Sequence, residues 1–451
     1  MNYLQRKFHN FISDKKFSEI FTGSIWAMGA RVFSTVIGLV TSVFIARLYG
    51  AEVVGILAVV NSFLMFSTIF TVLGTGTSIL RLIPEHLVKY SPTSAFLMYR
   101  KTQLIVIGVS LLISTLFFFV AHLIANNVFG KPSFSFYFSL AAVFIVFKSL
   151  MILNTQAVRG IRLVKVFAFI QVLPSVVNLL VLFCLFAFLA SKDDPVYALL
   201  ASMAVTAVVG WVIMEVSFKR RMSPSDHVEP MSASSILSVS FPMLMTNTMN
   251  FAIAQTGVIM LGVYRTEAEV GYYSIAVKLA TLTSFILTAS NSMIAPKFSD
   301  LFHSGKMDEL FYIAKKSSKF IFWATVPVLL GLVFFGYPLL KYFFGTNFAA
   351  AYPAMTLLIV GQFVNSVSGS TGMFMNMVGY QRQFSAIIIF SSSINILFCY
   401  LFIPDFGVIG AAVSSVVSII FWNIATLLYI KIKHGQSIGY IPMPDFFRIN
   451  F

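Results

Sequence analysis

The sequence predicts an all-α polytopic membrane protein with about twelve transmembrane helices in two six-helix lobes. Of its 451 residues, 58% are hydrophobic and 10% are charged, whereas a soluble domain carries about 25% charged residues. The apolar residues recur in blocks of about 20, the length of helix that crosses the hydrocarbon core. Alternating segments of about ten residues, the pattern of membrane β-strands, are not seen. A repeat of the first half in the second half predicts the two lobes.

Twelve apolar spans follow one another along the chain. They run near residues 21–46, 53–78, 104–124, 135–153, 167–190, 196–216, 235–263, 271–295, 319–340, 350–377, 385–403 and 408–430. Because twelve is even, both termini lie on one side of the membrane. Lys and Arg concentrate at the termini and in the connections after even-numbered spans, so the positive-inside rule predicts cytoplasmic termini. The net charge of +15 follows mainly from this orientation, and no nucleic-acid partner is expected.

The connections on the two sides differ in length. Those on the outer side are short and leave no room for a soluble catalytic domain. The longest ones, 79–103 and 296–318, are on the cytoplasmic side and are amphipathic. They are predicted to form helices that lie on the inner leaflet.

Two motifs recur at nearly the same distance along the chain. Residues 48–55 are matched by 263–271, and residues 175–180 are matched by 392–397. A shared offset in corresponding spans predicts two copies of a six-span unit, related by an axis along the membrane normal. The predicted lobes are residues 1–222 and 223–451, joined by a linker around 217–234. Transporters built in this way bind substrate between the lobes and rock one lobe against the other.

Three basic residues fall inside predicted spans: Arg31, Lys148 and Lys278. No Asp or Glu lies comparably deep in a span. A charge in the bilayer is costly, so each of these side chains is expected to have a structural or functional role. The excess of positive charge predicts an anionic passenger and argues against a carrier of cationic drugs.

Arg31 is the first candidate for contact with that passenger. It lies about 15 Å inside the first span, on a helix face of small and polar residues that includes Ser34, Thr35 and Gly38. A guanidinium offers a planar fork that matches phosphate oxygens. The alternative is a structural arginine bonded to the carbonyls of a neighbouring helix.

The two lysines have alternatives of their own. Lys278 lies in span eight on a stripe with Ser274, Thr281 and Thr288; it is a second candidate, unless it reaches the outer interface by snorkelling. Lys148 has apolar neighbours in span four, and snorkelling to the cytoplasmic interface is the preferred interpretation for it.

Amide side chains also collect inside the spans. Asn61, Asn247 and Asn250 complete the candidate set for binding pyrophosphate or sugar, beside Arg31, Lys278 and Lys148. Amides bond sugar hydroxyls well, but they also hold neighbouring helices together. No catalytic residue, metal site or cofactor is predicted, because the two cysteines lie in apolar runs and no phosphate-binding glycine loop is present.

Three segments then indicate a family. They are residues 23–55, which run from Gly23-Ser24-Ile25-Trp26 to Glu52-Val53-Val54-Gly55; residues 73–81, which contain Leu73-Gly74-Thr75-Gly76-Thr77 and Arg81; and Arg159-Gly160-Ile161-Arg162. These segments resemble the Wzx-type polysaccharide flippases, within the superfamily that also contains lipid II flippases and MATE multidrug exporters.

The resemblance implies a V-shaped, MATE-like transporter with a central cationic cavity, where Arg31 and Lys278 match the basic residues of spans one and eight. It implies transfer of an undecaprenyl-pyrophosphate-linked oligosaccharide across a bacterial inner membrane, for O-antigen, capsule or exopolysaccharide synthesis. The expected partners are this lipid-linked oligosaccharide and membrane lipids, with a polysaccharide polymerase and a chain-length regulator.

Other functions stay open on the sequence alone. A MATE-like multidrug or small-molecule exporter shares the plan, but the missing carboxylate inside the spans counts against it. A major-facilitator transporter also has six plus six spans, yet residues 81–86 lack the motif of that family. A membrane enzyme of polysaccharide assembly would need a larger polar outer loop.

Overall fold

The computed structural model describes residues 15–222 and 231–440, so the predicted linker lies partly outside the described residues. The described chain forms helices and contains no strand. In chain order the α-helices are α1 (Lys15–Leu48), α2 (Gly50–Val72), α3 (Thr75–Lys89), α4 (Pro92–Leu123), α5 (Phe134–Gly160), α6 (Val164–Phe188), α7 (Asp194–Lys219), α8 (Ala233–Tyr264), α9 (Glu267–Ala280), α10 (Ser284–His303), α11 (Met307–Leu339), α12 (Tyr352–Ser368), α13 (Thr371–Met377) and α14 (Gln381–His434).

Eleven helical segments of the described chain are long and apolar enough to cross a membrane. The last of them, α14, has 54 residues and would reach about 80 Å if it were continuous, far more than the hydrocarbon thickness of about 30 Å. Gly407 interrupts it with φ 53° and ψ −126°, so α14 supplies two spans. The predicted all-α, multi-pass fold is therefore confirmed.

The second span is shorter than predicted. Helix α2 ends at Val72 rather than near residue 78, because Leu73 and Gly74 both adopt a left-handed backbone conformation. The separate helix α3 that follows is amphipathic: Ile79 and Ile83 are buried, whereas Arg81 and Lys89 are exposed.

The eighth span is broken in the middle. A single helix over 271–295 was expected, but α9 ends at Ala280 and a 3₁₀ turn, Thr281–Thr283, leads into α10. The hydroxyl of Thr281 donates to the carbonyl of Val277 (2.8 Å), and the hydroxyl of Thr283 to that of Ala280 (3.0 Å). Such local bonds compete with the helical ladder, so a run of hydroxyl residues marks this break.

The chain forms two compact units. Unit 1 takes the described residues up to Ile45 and those within Val60–Thr248, and unit 2 takes Ala46–Val59 and the residues from Met249 onward. The division therefore departs from the predicted boundary near residue 222 in two segments: 46–59 belong to unit 2, and 231–248 belong to unit 1.

Unit 1 is held by helix packing around α5, which lies against α3, α4, α6 and α7. Its core combines apolar side chains with satisfied polar groups. The Tyr99 hydroxyl donates to Asn154 Oδ1 (2.8 Å), and Asn154 Nδ2 donates to the carbonyl of Ala207 (3.1 Å). Thr71 and Ser149 share a hydrogen bond of 2.6 Å. These bonds join neighbouring helices where no water can satisfy the same groups.

Unit 2 is built in the same way around α12 and α14, with α9, α11 and α13 packed against them and α10 packed against α11 and α13. Asn395 Nδ2 donates to the hydroxyl of Ser418 (3.2 Å), and the hydroxyl of Ser391 donates to the carbonyl of Ser418 (2.8 Å). These bonds tie together the two halves of α14 on either side of Gly407.

The segment 46–59 is locked into unit 2 by a close crossing of α2 and α9. A Cβ on Gly55 would overlap the carbonyl oxygen of Glu267, and a Cβ on Gly271 would overlap that of Ala51. Gly55 and Gly271 are equivalent positions of the two sequence repeats, and so are Ala51 and Glu267. The contact therefore relates the two repeats symmetrically. Only glycine allows backbones to approach this closely.

The segment 231–248 is fixed in unit 1 by a comparable contact. A Cβ on Gly74 would overlap the carbonyl oxygen of Ser240 and would lie 2.8 Å from the amide nitrogen of Leu244. The hydroxyls of Ser78 and Ser240 share a hydrogen bond of 2.6 Å. Gly74 therefore serves two purposes, since it also turns the chain from α2 into α3 with φ +77°.

Candidate functional site

Arg31 lies at the middle of α1, about equally far from Lys15 and Leu48 at the two ends of that helix. Its side chain is exposed. The residues that follow it on the same face are polar: the hydroxyl of Thr35 donates to the carbonyl of Arg31 (3.0 Å), and the hydroxyl of Ser34 shares a hydrogen bond of 2.7 Å with that of Ser175. The polar stripe predicted for α1 thus contacts α6.

Helix α6 presents a polar face at this contact. Gln171, Ser175 and Asn178 are spaced i, i+4 and i+7, so they lie on one side of the helix. Gln171 Oε1 and Asn178 Oδ1 are buried and have no hydrogen-bond partner within the described residues. A buried polar oxygen without a partner is costly and indicates that a donor is missing.

We call Arg31, Ser34, Gln171, Ser175 and Asn178 the polar face of unit 1. Its guanidinium is suited to bind a phosphate, and its acceptor oxygens are suited to bind hydroxyl donors. Gln171, Ser175 and Asn178 are not among the site residues predicted from the sequence. Their helical spacing within an otherwise apolar span was the signal that could have found them.

Lys148 also belongs to unit 1, where it is half-buried in α5. The predicted span ended near residue 153, but α5 continues to Gly160. Lys148 is therefore about 18 Å from the end of its helix, deeper than the snorkelling interpretation assumed. Its role in binding stays a prediction.

Two of the predicted amides lie in unit 1. Asn61, in α2, is half-buried, and its Nδ2 lies 3.7 Å from Met65 Sδ one turn further along the same helix. Asn247, in α8, is exposed. An amide that holds two helices together would bond across to a neighbouring helix, and the contact of Asn61 is instead within α2.

Unit 2 contains the other two predicted residues. Lys278 is half-buried in the last turn of α9, directly before the break at Thr281–Thr283. The C-terminal end of a helix carries partial negative charge, which stabilises a cation there. Asn250 is exposed on α8. Close in sequence to the break, Asn291 Oδ1 on α10 is buried without a hydrogen-bond partner within the described residues.

The candidate residues are divided between the two units. Unit 1 holds Arg31, Lys148, Asn61 and Asn247, and unit 2 holds Lys278 and Asn250.

The carboxylates whose side chains the structure describes lie in connections, in α3, near helix ends or, for Asp405, at the break of α14 beside Gly407. Glu215, near the end of α7, pairs with Arg100 at 2.5 Å. Glu85 on α3 pairs with Lys89 at 2.6 Å, and the hydrogen bond from Lys89 holds the pKa of that carboxyl below its usual range. The carboxylates of Glu215 and Glu85 are therefore already paired with cations. The charges at depth in the described spans are positive.

The fold is that of the transporters of the MOP superfamily. The structure matches lipid II flippase MurJ in an inward closed conformation with a TM-score of 0.71 and 16% identity, over 89% of this chain and 86% of that chain. It matches an inward-facing multidrug resistance MATE family transporter with a TM-score of 0.67 and 16% identity, over 89% and 94% of the two chains.

The chain belongs to the family described as polysaccharide biosynthesis protein, whose model matches residues 44–353. A relative from Haloferax volcanii (strain ATCC 29605 / DSM 3757), the probable low-salt glycan biosynthesis flippase Agl15, is 22% identical over 223 residues. The match covers 49% of this chain and 46% of the relative, so the chain spans about half the length of that protein. The relation to polysaccharide biosynthesis proteins expected from the sequence is confirmed by the family, and the expected MATE-like fold is confirmed by the structures.

Proposed function

We propose that this protein is a flippase that transfers a lipid-linked oligosaccharide with a polyprenyl pyrophosphate head from the cytoplasmic to the outer leaflet. One observation carries the proposal: the charges at depth in the described spans are Arg31, Lys148 and Lys278, whereas the described carboxylates lie near helix ends, in connections, in α3 or, for Asp405, at the break of α14 beside Gly407. Since a charge at this depth is retained for a purpose, an excess of positive charge there fits an anionic head group. A carrier of organic cations needs the opposite sign.

The polar face of unit 1 supports the glycan part of the proposal. The unsatisfied oxygens of Gln171 and Asn178 are acceptors, and sugar hydroxyls are the donors that such oxygens lack. Arg31 lies one turn from Ser34, which contacts the same face of α6. One face can thus serve a phosphate at its guanidinium and a sugar at its amides.

The narrower form of the proposal follows from the resemblance to Wzx-type flippases. The carrier lipid is undecaprenyl pyrophosphate, the glycan is a repeat unit of O-antigen, capsule or exopolysaccharide, and the membrane is the bacterial inner membrane. A polysaccharide polymerase and a chain-length regulator then act on the product. The glycan biosynthesis flippase among the relatives is consistent with this assignment.

The membrane potential supplies the direction of transfer in this proposal. An inside-negative potential favours outward movement of an anion by about 2.3 kcal/mol per charge per 100 mV. A pyrophosphate head carries more than one negative charge, so the potential alone can drive the transfer without ATP.

The test is a flipping assay with the purified full-length protein in proteoliposomes that contain a fluorescent polyprenyl-pyrophosphate oligosaccharide. We expect Arg31→Ala to lower the initial rate by about tenfold or more, because a hydrogen bond to a charged group contributes about 1.5–3 kcal/mol. Arg31→Lys should keep part of the activity, since it keeps the charge but loses the bidentate fork. A potassium-diffusion potential should accelerate the wild type.

The matched control is Arg382→Ala, which removes an exposed arginine at the first turn of α14 and should leave the rate unchanged. Wild-type rates in the Arg31→Ala variant would remove Arg31 from the mechanism. Failure of the wild type to move the probe, with normal transport of an organic cation, would replace the flippase proposal by a MATE-like exporter.

A further inference from the structure

Unit 1 carries a groove of about 440 Å³ between α6 and α7. Its walls are Val166 and Phe169 from α6 with Val212, Ile213 and Val216 from α7. Its mouth is formed by Lys165 and Ser217. The volume lies within the range of about 300–1,000 Å³ of small-molecule sites.

The groove is separate from the polar face of unit 1. Phe169 and Gln171 are two positions apart on α6, which turns their side chains about 200° from one another around the helix. The wall of the groove at Phe169 therefore lies on the side of α6 opposite Gln171. Whatever fills the groove does not occupy the candidate site for pyrophosphate and sugar.

The walls of the groove are suited to an acyl chain. Phe169 is 56% exposed, Val212 50% and Val216 43%, although all three lie on helices apolar enough to span the membrane. Exposed apolar side chains on such helices meet lipid rather than water. The open side of the groove thus faces hydrocarbon.

The mouth of the groove is suited to an anionic head group. Lys165 is the second residue of α6, and Ser217 is followed at the end of α7 by three cations, Lys219, Arg220 and Arg221. Lys165 and these three cations are exposed. The neighbouring acid, Glu215, does not neutralise them because it pairs with Arg100 at 2.5 Å.

A tryptophan marks the membrane depth of this mouth. Lys165 Nζ lies 5.9 Å from the ring centroid of Trp26 on α1, and Trp26 is half exposed. Tryptophan concentrates at the level of the lipid head groups. A lysine above an apolar groove at this level has the position of a phosphate ligand.

We propose that this groove binds one anionic phospholipid, with an acyl chain along Phe169 and Val216 and the phosphate at Lys165. Basic pockets between transmembrane helices on the cytoplasmic side recognise such head groups. Lys165 at the mouth, with Lys219, Arg220 and Arg221 within four residues of Ser217, gives the charge complementarity. The apolar residues of α6 and α7 form the wall for the acyl chain. The bound lipid fills the cleft between α6 and α7 and stabilises their contact.

The test is native mass spectrometry of the full-length protein in detergent, titrated with phosphatidylglycerol and, separately, with phosphatidylcholine. We expect a retained phosphatidylglycerol and little phosphatidylcholine on the wild type. Lys165→Gln should bind phosphatidylglycerol about fivefold more weakly, the contribution of one lysine near an anionic lipid surface. Val216→Trp, which fills the groove and leaves the charges in place, should weaken binding of the same lipid.

The matched control is Lys131→Gln. Lys131 also lies over an aromatic ring, 5.6 Å from the centroid of Phe134, but in the connection at the other end of α5, and its loss should not change binding. Wild-type affinity in both Lys165→Gln and Val216→Trp would overturn the proposal. Retention of undecaprenyl phosphate in place of phosphatidylglycerol would also overturn it and would assign the groove to the substrate's lipid tail.

Discussion

Lys148 is half-buried near the midpoint of α5, about three helical turns before the end of that helix at Gly160. A lysine side chain does not extend over this distance, so its ammonium does not reach the end of α5. No carboxylate of the described residues forms an ion pair with it. Such a charge costs stability, and we propose that Lys148 serves transport.

We therefore expect Lys148→Met to raise the stability of the protein and to lower its transport rate. The unfolding temperature should rise, because a buried charge is replaced by an apolar side chain of similar length. The initial flipping rate should fall, because an anionic head group loses one cation on its path. Thermal unfolding of the purified protein and the proteoliposome assay measure the two effects.

A structural role for Lys148 predicts the reverse result. Lys148→Met would then lower the unfolding temperature, and transport would fall only as far as the amount of folded protein falls. The Lys148→Arg variant separates the cases further, since it keeps the charge at this depth and should restore part of the transport.

The crossing of α2 and α9 is the contact between elements that depends most on single residues. Gly55 and Gly271 meet the carbonyls of Glu267 and Ala51 without any intervening side chain. Arg47, at the end of α1, reinforces the attachment of this segment: its Nε donates to the carbonyl of Phe343 at 2.9 Å. The start of the second span is thereby held to unit 2.

We expect Gly55→Ala and Gly271→Ala each to destabilise the protein by about 1–3 kcal/mol, the usual cost of overpacking. A lower unfolding temperature of the detergent-purified protein measures the effect. The double variant should cost less than the sum of the two, because the first substitution already forces the helices apart.

Gly108→Ala is the control for helix propensity. Gly108 lies inside α4, and a Cβ there would meet nothing within 4 Å, so alanine should leave stability unchanged or raise it by up to about 1 kcal/mol. Equal unfolding temperatures for Gly55→Ala and Gly108→Ala would show that the crossing is not tight in solution.

At the scale of the whole molecule, the distribution of charge predicts the orientation in the membrane. Connections such as those at Lys306 and Arg162 are rich in cations, whereas the opposite side has few. The positive-inside rule then places Lys306 in the cytoplasm and Lys192, in the connection between α6 and α7, on the outer side.

Labelling of single cysteines tests this orientation. In a background with Cys184→Ala and Cys399→Ala, the Lys192→Cys variant should react with a membrane-impermeant maleimide in intact spheroplasts, and the Lys306→Cys variant only after lysis. Both positions are exposed, so each thiol is accessible on its own side. The opposite pattern would invert the topology and, with it, the proposed direction of transfer.

The sequence by itself determined the membrane class, the number of spans, the repeat and the sign of the charges at depth. These properties depend on composition and on periodicity, which are local along the chain: a block of apolar residues is long enough to cross the bilayer wherever it packs. For the same reason Arg31, Lys148 and Lys278 could be selected as candidates before any contact was known.

Only the tertiary structure decided where the helices stop and which side chains share a face. The break after Ala280 and the separate helix α3 depend on local hydroxyl bonds and on the backbone at Gly74, features that hydropathy does not record. The unsatisfied oxygens of Gln171 and Asn178 and the assignment of residues 46–59 to unit 2 depend on contacts between segments distant in sequence. Such contacts follow from packing in three dimensions, and one sequence carries no direct signal of them.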